Sequence, residues 1–188
     1  MQHIFQQPQF GENWFTYRFL YTELAQDAPN GSIIVEVGSW KGKSAAFMAV
    51  TLANLDKQID FYCVDTWEGS PEHNEDNHIV DGTLYDLFLK NIEPVSEYIK
   101  PIRKTSVEAS HDFEDNSLFA VFIDAQHEYE PVKEDILHWL PKVQSGGILC
   151  GHDYHPSWKG VMDAVDEVLG PENIIPIIRE NCWKYCKE

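Results

Sequence analysis

Short runs of β-branched and aliphatic residues alternate along this chain with segments whose apolar positions recur at helical spacing. Residues 33–37, Ile-Ile-Val-Glu-Val, read as a strand, and Ala45, Ala46, Met48, Ala49 and Leu52 follow as one face of a helix. The alternation then repeats. Residues 59–65 form a second strand ending in an acid, 83–92 a helix and 99–103 a short strand. Residues 118–124 are almost wholly apolar, as expected of a parallel strand covered on both faces. Pro131 opens a helix carrying Val132, Ile136, Leu137 and Leu140, which stops at Ser145-Gly146-Gly147. Residues 147–151 are a strand, 160–169 a helix, and 173–178 with 181–187 a terminal hairpin. Upstream, Trp14, Phe15, Phe19, Leu20 and Leu24 predict a helix over 10–26, broken at Asp27-Ala28-Pro29-Asn30-Gly31. Only 66–82 lacks any period, and so long a loop in a compact fold is usually functional. The pattern predicts an α/β class fold, Rossmann-like and doubly wound, with a mostly parallel sheet and helices on both faces. Ligands of such sheets gather at the carboxyl ends of the strands, where Glu36, Asp65, Asp124 and Asp153 all fall.

Composition narrows the classes. A chain of 188 residues with 43% apolar content, 6 Trp, 8 Tyr and 10 Phe is not disordered, and a single domain over 1–188 is expected. The formal net charge of −17, with no run of Lys or Arg, argues against nucleic acid and anionic membranes as partners. Met1-Gln2-His3-Ile4-Phe5-Gln6 lacks the basic start and apolar run of a secretory leader, and no stretch reaches the roughly 20 apolar residues of a membrane span. Cys63 and Cys150 fall inside strands as buried thiols, while Cys182 and Cys186 lack the C-x-x-C spacing. A reduced, cytoplasmic protein is the expectation.

The turn after the first strand carries the chemistry. Gly38 and Gly42 allow backbone to approach a ligand closely, and the amides at the following helix start add partial positive charge. A phosphate loop needs G-x-x-x-x-G-K-[ST], whereas Ser39, Trp40 and Lys41 leave the spacing to Gly42-Lys43-Ser44 one residue short. Bulky Trp40 further obstructs a phosphate nest. Glu36 would repel a polyphosphate but could receive an ammonium group. S-adenosylmethionine offers an amino group and a sulfonium and no phosphate, so the turn favours that ligand.

Glu36-Val37-Gly38-Ser39-Trp40-Lys41-Gly42-Lys43-Ser44 resembles the first motif, acidic-x-Gly-x-Trp-basic-Gly-x-Ser, of class I S-adenosylmethionine-dependent methyltransferases of the macrocin and sugar O-methyltransferase kind. The resemblance runs over residues 30–188. It implies a seven-stranded sheet with an antiparallel C-terminal strand, and cofactor contacts from Glu36, Gly38, Ser39, Trp40, Lys41, Gly42 and Ser44. Asp65, closing the second strand, takes the ribose-binding position. Trp67 lies beside the adenine region, as does Ser106 after the third strand, and Asp124 borders the cofactor. In the metal-dependent relatives one acid ends the fourth strand and two oxygen donors end the fifth. Asp124 and Asp153 match, whereas His152 stands where a carboxylate is usual. A nitrogen ligand suits manganese better than magnesium, so Mg²⁺ and Mn²⁺ are both carried as candidates. By themselves these residues leave open a plain substrate-binding or structural role for Asp153 and His152.

His127, three residues past Asp124, matches the catalytic base position of the catechol O-methyltransferases, and imidazole titrates near neutrality. His155 is the competing base or ligand, while His73, His78, His111 and His138 read as surface. The expected activity is methyl transfer from S-adenosylmethionine to a hydroxyl of a small molecule, a sugar among the candidates. Residues 66–82 would act as the substrate lid and 1–30 as an N-terminal helix and cap. A degenerate phosphate-loop protein and a non-catalytic cofactor-binding module remain as rivals, and a homodimer is left open.

Overall fold

Successive residues of each central strand feed two different cores. The computed structural model, which describes residues 1–11, 13–70 and 76–188, places β1 (Ile33–Val37) in parallel register between β2 (Asp60–Asp65) and β4 (Leu118–Ile123). On one face Ile34, Phe61, Cys63, Ala120 and Phe122 pack under α1 (Arg18–Asp27), α2 (Lys43–Asn54) and α4 (Leu84–Ile92). On the other, Val35, Val37, Val64, Val121 and Ile123 pack against α5 (Ser106–Ser110), α6 (Tyr129–Trp139) and α7 (Lys159–Leu169). A period of two is what a strand buried on both faces must show.

β3 (Lys100–Arg103) extends the sheet beyond β2, and β5 (Val143–Gly151) beyond β4. β7 (Cys182–Cys186) enters antiparallel between β5 and β6 (Ile175–Ile177). The sheet order is β3-β2-β1-β4-β5-β7-β6. The seven-stranded, mostly parallel sheet with an antiparallel C-terminal strand is therefore present, with helices on both faces. No helix among the described residues is long and apolar enough to cross a membrane.

Several elements depart from the sequence reading. The helix predicted over 10–26 begins only at Arg18, after a 3-10 turn at Pro8–Phe10 and an extended strap through residues 13–17. Its first turn has no local side-chain cap. Instead the buried carboxylate of Glu180, in the turn between β6 and β7, accepts from the amides of Phe19 and Leu20 at 2.7 and 2.9 Å. Capping from 161 residues away is invisible to a local window. β5 starts at Val143, so Ser145-Gly146-Gly147 lies inside the strand; the pairing with β4 shifts register there, and Gly146 takes φ +75°. α5, with its Thr105–Glu108 capping box, and the short α3 (Asn77–Val80) were not expected. Residues 71–75, including His73 and the middle of the predicted lid, lie outside the described residues.

Two positions in the first motif turn out to serve the fold. Gly38 has φ +91°, and a Cβ there would sit 1.9 Å from the Asp124 carbonyl oxygen. Its glycine thus answers to the neighbouring strand tip rather than to ligand approach. Gly42, at φ +85°, would put a Cβ 2.9 Å from Ile92 and 3.1 Å from the Phe88 ring. Glu36, on the inward face of β1, has no exposure at all. Tyr21 on α1 donates its phenol to the Glu36 carboxylate at 2.5 Å. Burial pushes the Glu36 carboxyl up to about 7, although the Tyr21 hydrogen bond pulls the other way.

Replacing Gly38 with Ala should cost about 3 kcal/mol or more in urea unfolding, because backbone and not a flexible side chain blocks the added methyl. Gly31→Ala, at φ +84° but with nothing within 4 Å of its Cβ, should cost only about 1 kcal/mol. Equal costs would mean the turn can retreat from Asp124.

Glu36 also makes a pH prediction. Its folded pKa of about 7 lies above the ordinary 4.5, so its contribution to stability is present below pH 4.5 and lost as pH rises through 7. Over that window the wild type should lose roughly 2–3 kcal/mol relative to Glu36→Gln, whose side chain does not titrate. Parallel unfolding curves at pH 5 and pH 8 measure the difference; a pH-independent gap would show that Glu36 is ionised in the core.

Candidate active site

A cleft of about 790 Å³ opens over the carboxyl ends of β1, β2, β4 and β5. It sits where the chain leaves β1 for β2 on one side and β4 on the other, the switch point at which doubly wound sheets bind ligands. Of the residues expected from sequence, Gly38, Ser39, Trp40, Ser44, Asp65, Ser106, Asp124, His127, His152 and Asp153 line it. Glu36, Lys41, Gly42 and Trp67 lie behind the lining.

The four that lie behind support the turn. Glu36 is in the core, where its carboxylate accepts from Tyr21. Lys41 pairs with Asp76 at 2.6 Å, and its carbonyl accepts from Asn91 at 2.9 Å. Trp67, only 2% exposed, packs on Tyr85 and Phe88 with centroids 4.6 Å away, and its indole N–H donates to the Trp40 carbonyl at 2.9 Å. It braces the turn from below and offers no face to the cleft.

Asp65 organises one end of the cleft. One carboxylate oxygen accepts from the amides of Ser39 and Trp40, both at 2.9 Å, and the other from Trp67 at 2.7 Å. The Ser39 hydroxyl is buried against Glu36 without completing a well-aligned hydrogen bond. Ser106 begins α5, where its Oγ accepts from Trp139 Nε1 at 2.8 Å.

At the other end four groups converge. His152 Nδ1 lies 3.1 Å from Asp153 Oδ2 and 3.6 Å from Asp124 Oδ1. His127 Nε2 lies 2.9 Å from the same Asp153 oxygen, its ring stacked on Trp158 at 4.1 Å. Asp153 adopts φ +58°, which turns its carboxylate back toward both imidazoles. Burial draws the His152 pKa down, but the Asp124 charge and hydrogen bonds to Asp124 and Asp153 outweigh it and raise it to about 10. Asp153, despite burial, is held well below the usual carboxylate range by His127 and His152. Asp124, His152 and Asp153 each offer a ligand atom within 4.8 Å of the others. Two carboxylates and one imidazole fit a divalent cation, provided His152 gives up the proton on the coordinating nitrogen.

The strap before α1 supplies residues the sequence reading missed. Tyr17 donates its phenol to Asp124 Oδ2 at 2.8 Å, and Thr16 Oγ1 lies 2.9 Å from His152 Nε2. Thr16 also donates to the Glu180 carbonyl at 3.3 Å, tying the cluster to the group that caps α1. The only sequence signal was the aromatic density of Trp14-Phe15-Thr16-Tyr17. His155 accepts from the Ser157 amide at 3.2 Å, capping the Pro156–Trp158 turn outside the cleft lining. His111 is exposed, and His78 and His138 are half-buried away from the cleft.

Known proteins share the fold. A family model described as a methyltransferase domain matches residues 35–154. An uncharacterised protein of Sinorhizobium fredii, y4gI, is 29% identical over 120 residues, which is 64% of this chain and 13% of that protein's length. Among solved structures, the O-methyltransferase NovP superposes with a TM-score of 0.69 at 19% identity, covering 92% of this chain and 79% of its own. CalS11, a TDP-rhamnose 3′-O-methyltransferase, superposes at 0.61 and 16% identity, covering 90% and 76%. At such identities the structural likeness is one of fold. The family match spans the first motif, the strand tips and the acid–histidine cluster alike, so the chain belongs to the methyltransferase-domain family and has the fold of class I S-adenosylmethionine-dependent methyltransferases.

Proposed function

We propose that this protein transfers a methyl group from S-adenosylmethionine to a hydroxyl of a small, ring-bearing acceptor such as a sugar. One observation carries the reading. A single cleft joins the Asp65-bound turn to the cluster of Asp124, His127, His152 and Asp153. The first end suits a nucleoside, with Asp65 accepting from ribose hydroxyls. The second suits a hydroxyl that must lose a proton. Trp14, Trp40 and Trp158 line the walls and offer flat apolar faces to a ring. The fold neighbours NovP and CalS11 are O-methyltransferases, the latter acting on a deoxysugar nucleotide.

When bound, S-adenosylmethionine supplies a methyl group activated by a sulfonium. The chain's part is to align the acceptor oxygen with that methyl and to take its proton. His127 is the base in this reading, oriented by its bond to Asp153 and its stacking on Trp158. His127 would take the hydroxyl proton as the oxygen takes the methyl group and the methyl–sulfur bond breaks, leaving a neutral thioether. A divalent cation held by Asp124, His152 and Asp153 would lower the hydroxyl pKa and orient it. Tyr17 occupies one oxygen of Asp124, leaving the other for His152 or the ion.

The geometry speaks against the phosphate-loop alternative. The Ser39 and Trp40 amides that would cradle a phosphate are already bound to the Asp65 carboxylate, and the motif lysine, Lys43, donates to the Gly11 carbonyl at 3.1 Å. A non-catalytic module differs from the proposal only in turnover. Transfer of a labelled methyl group to a panel of glycosides, phenols and sugar nucleotides tests it, and tight cofactor binding with no transfer to any of them would favour the module.

S-Adenosylhomocysteine should bind with micromolar affinity, roughly −8 kcal/mol. Asp65→Ala should weaken binding by about 1–3 kcal/mol in calorimetry, since a charged acceptor is lost. Unchanged affinity would take Asp65 out of the ribose site.

His127→Ala should slow transfer about 10²–10⁴-fold with little change in cofactor affinity. Exhaustive chelation should abolish transfer, and Mn²⁺ should restore it at least as well as Mg²⁺. Full activity after chelation would leave His127 alone to activate the acceptor; full activity in the His127 variant would leave the ion alone.

A further inference from the structure

An imidazole can serve a cation through either ring nitrogen, and the other nitrogen must then keep its hydrogen and find an acceptor for it. His152 turns Nδ1 to the acids, 3.1 Å from Asp153 Oδ2 and 3.6 Å from Asp124 Oδ1, and Nε2 to Thr16 Oγ1 at 2.9 Å. A hydroxyl both donates and accepts, so this contact alone does not say where the hydrogen lies. The next link does. Thr16 Oγ1 donates to the main-chain carbonyl of Glu180 at 3.3 Å, and a carbonyl only accepts. With its one hydrogen directed there, Thr16 has only lone pairs to offer the ring. Nε2 must therefore carry a hydrogen, and Nδ1 is the nitrogen whose lone pair can be presented between Asp124 and Asp153.

The relay is held at both ends. The Tyr17 ring lies against the imidazole with centroids 4.8 Å apart, and the His152 side chain is only 9% exposed. At the far end the Glu180 carboxylate accepts from the amides of Phe19 and Leu20, which fixes the carbonyl that receives the Thr16 hydrogen. We infer that Thr16 is a positioning residue for a divalent cation: with the Glu180 carbonyl it sets the Nε2–H tautomer of His152 and so directs Nδ1 to the ion. The inference rests on the divalent-cation part of the proposed function. In Thr16→Val a methyl group of nearly the same size replaces the hydroxyl. Nε2–H then loses its acceptor, and the tautomer with its hydrogen on Nδ1, bonded to Asp153, is favoured instead. That hydrogen stands where the ion must bind.

Calorimetric titration of the full, chelator-stripped chain with Mn²⁺ tests this. Thr16→Val should bind Mn²⁺ about 10–100-fold more weakly than the wild type, the usual cost of losing a group that orients a metal ligand. Thr16→Ser keeps the hydroxyl and should bind as the wild type does. Proton–nitrogen correlation spectra of the histidine-labelled chain loaded with diamagnetic Zn²⁺ read the tautomer directly, and His152 of the wild type should carry its hydrogen on Nε2. Circular dichroism checks folding, and if the Val variant does not fold, the wild-type spectrum decides alone. A hydrogen on Nδ1 in the loaded wild type would overturn the inference, as would undiminished Mn²⁺ affinity in a folded Val variant; both leave the cation reading intact. No binding of either ion to the wild type would overturn the cation reading and the inference with it.

Discussion

The chain's passage across the tip of β4 is the constraint on which the site depends. Gly38 leaves β1 so close to the Asp124 carbonyl that no side chain fits between them. The Asp124 amide donates to the Val37 carbonyl at 2.8 Å, and the Gly38 amide to Val64 at 2.9 Å. Three strand tips are thereby locked together. With the turn held there, the Ser39 and Trp40 amides face Asp65, and Trp67 fills the space beneath. The turn is thus a rigid product of backbone packing.

The acids gathered at these tips show how differently one fold can settle a buried carboxyl. Asp65 takes backbone amides. Asp153 takes two imidazoles and stays ionised. Glu36 takes a tyrosine hydroxyl, and its burial favours the protonated form near neutral pH. Asp135 has only a serine hydroxyl. The supply of donors runs from three backbone amides at Asp65 to a single hydroxyl at Asp135.

The N-terminal strap and the C-terminal hairpin act as one unit. Glu180 caps α1 with its carboxylate and holds Thr16 with its carbonyl, and Thr16 and Tyr17 in turn hold His152 and Asp124. The polar cluster is thus positioned by segments 164 residues apart in sequence. Trp14, on the same strap, is half exposed at the rim, two and three residues from Thr16 and Tyr17, which touch the cluster.

Local pattern determined most of the architecture. Alternating apolar residues in β1 and β4, glycines at the first turn and an acid closing β2 specify strand, turn and helix within a few residues, because backbone preference and burial of one face act at that range. The first motif, Asp65, Asp124, His127 and the His152-Asp153 pair could be read for the same reason, each being tied to the end of a recognisable strand. Tertiary structure alone decided which of them face the cleft. Glu36 and Lys41 belong to the motif as written, yet strand alternation sends one into the core and an ion pair draws the other to Asp76. Tyr17, Thr16 and the Glu180 cap carry no local signature, since each takes its place from a partner on a distant segment. Hydrogen bonds and burial are settled by what lies across the gap once the chain has folded, and a linear sequence does not contain that distance.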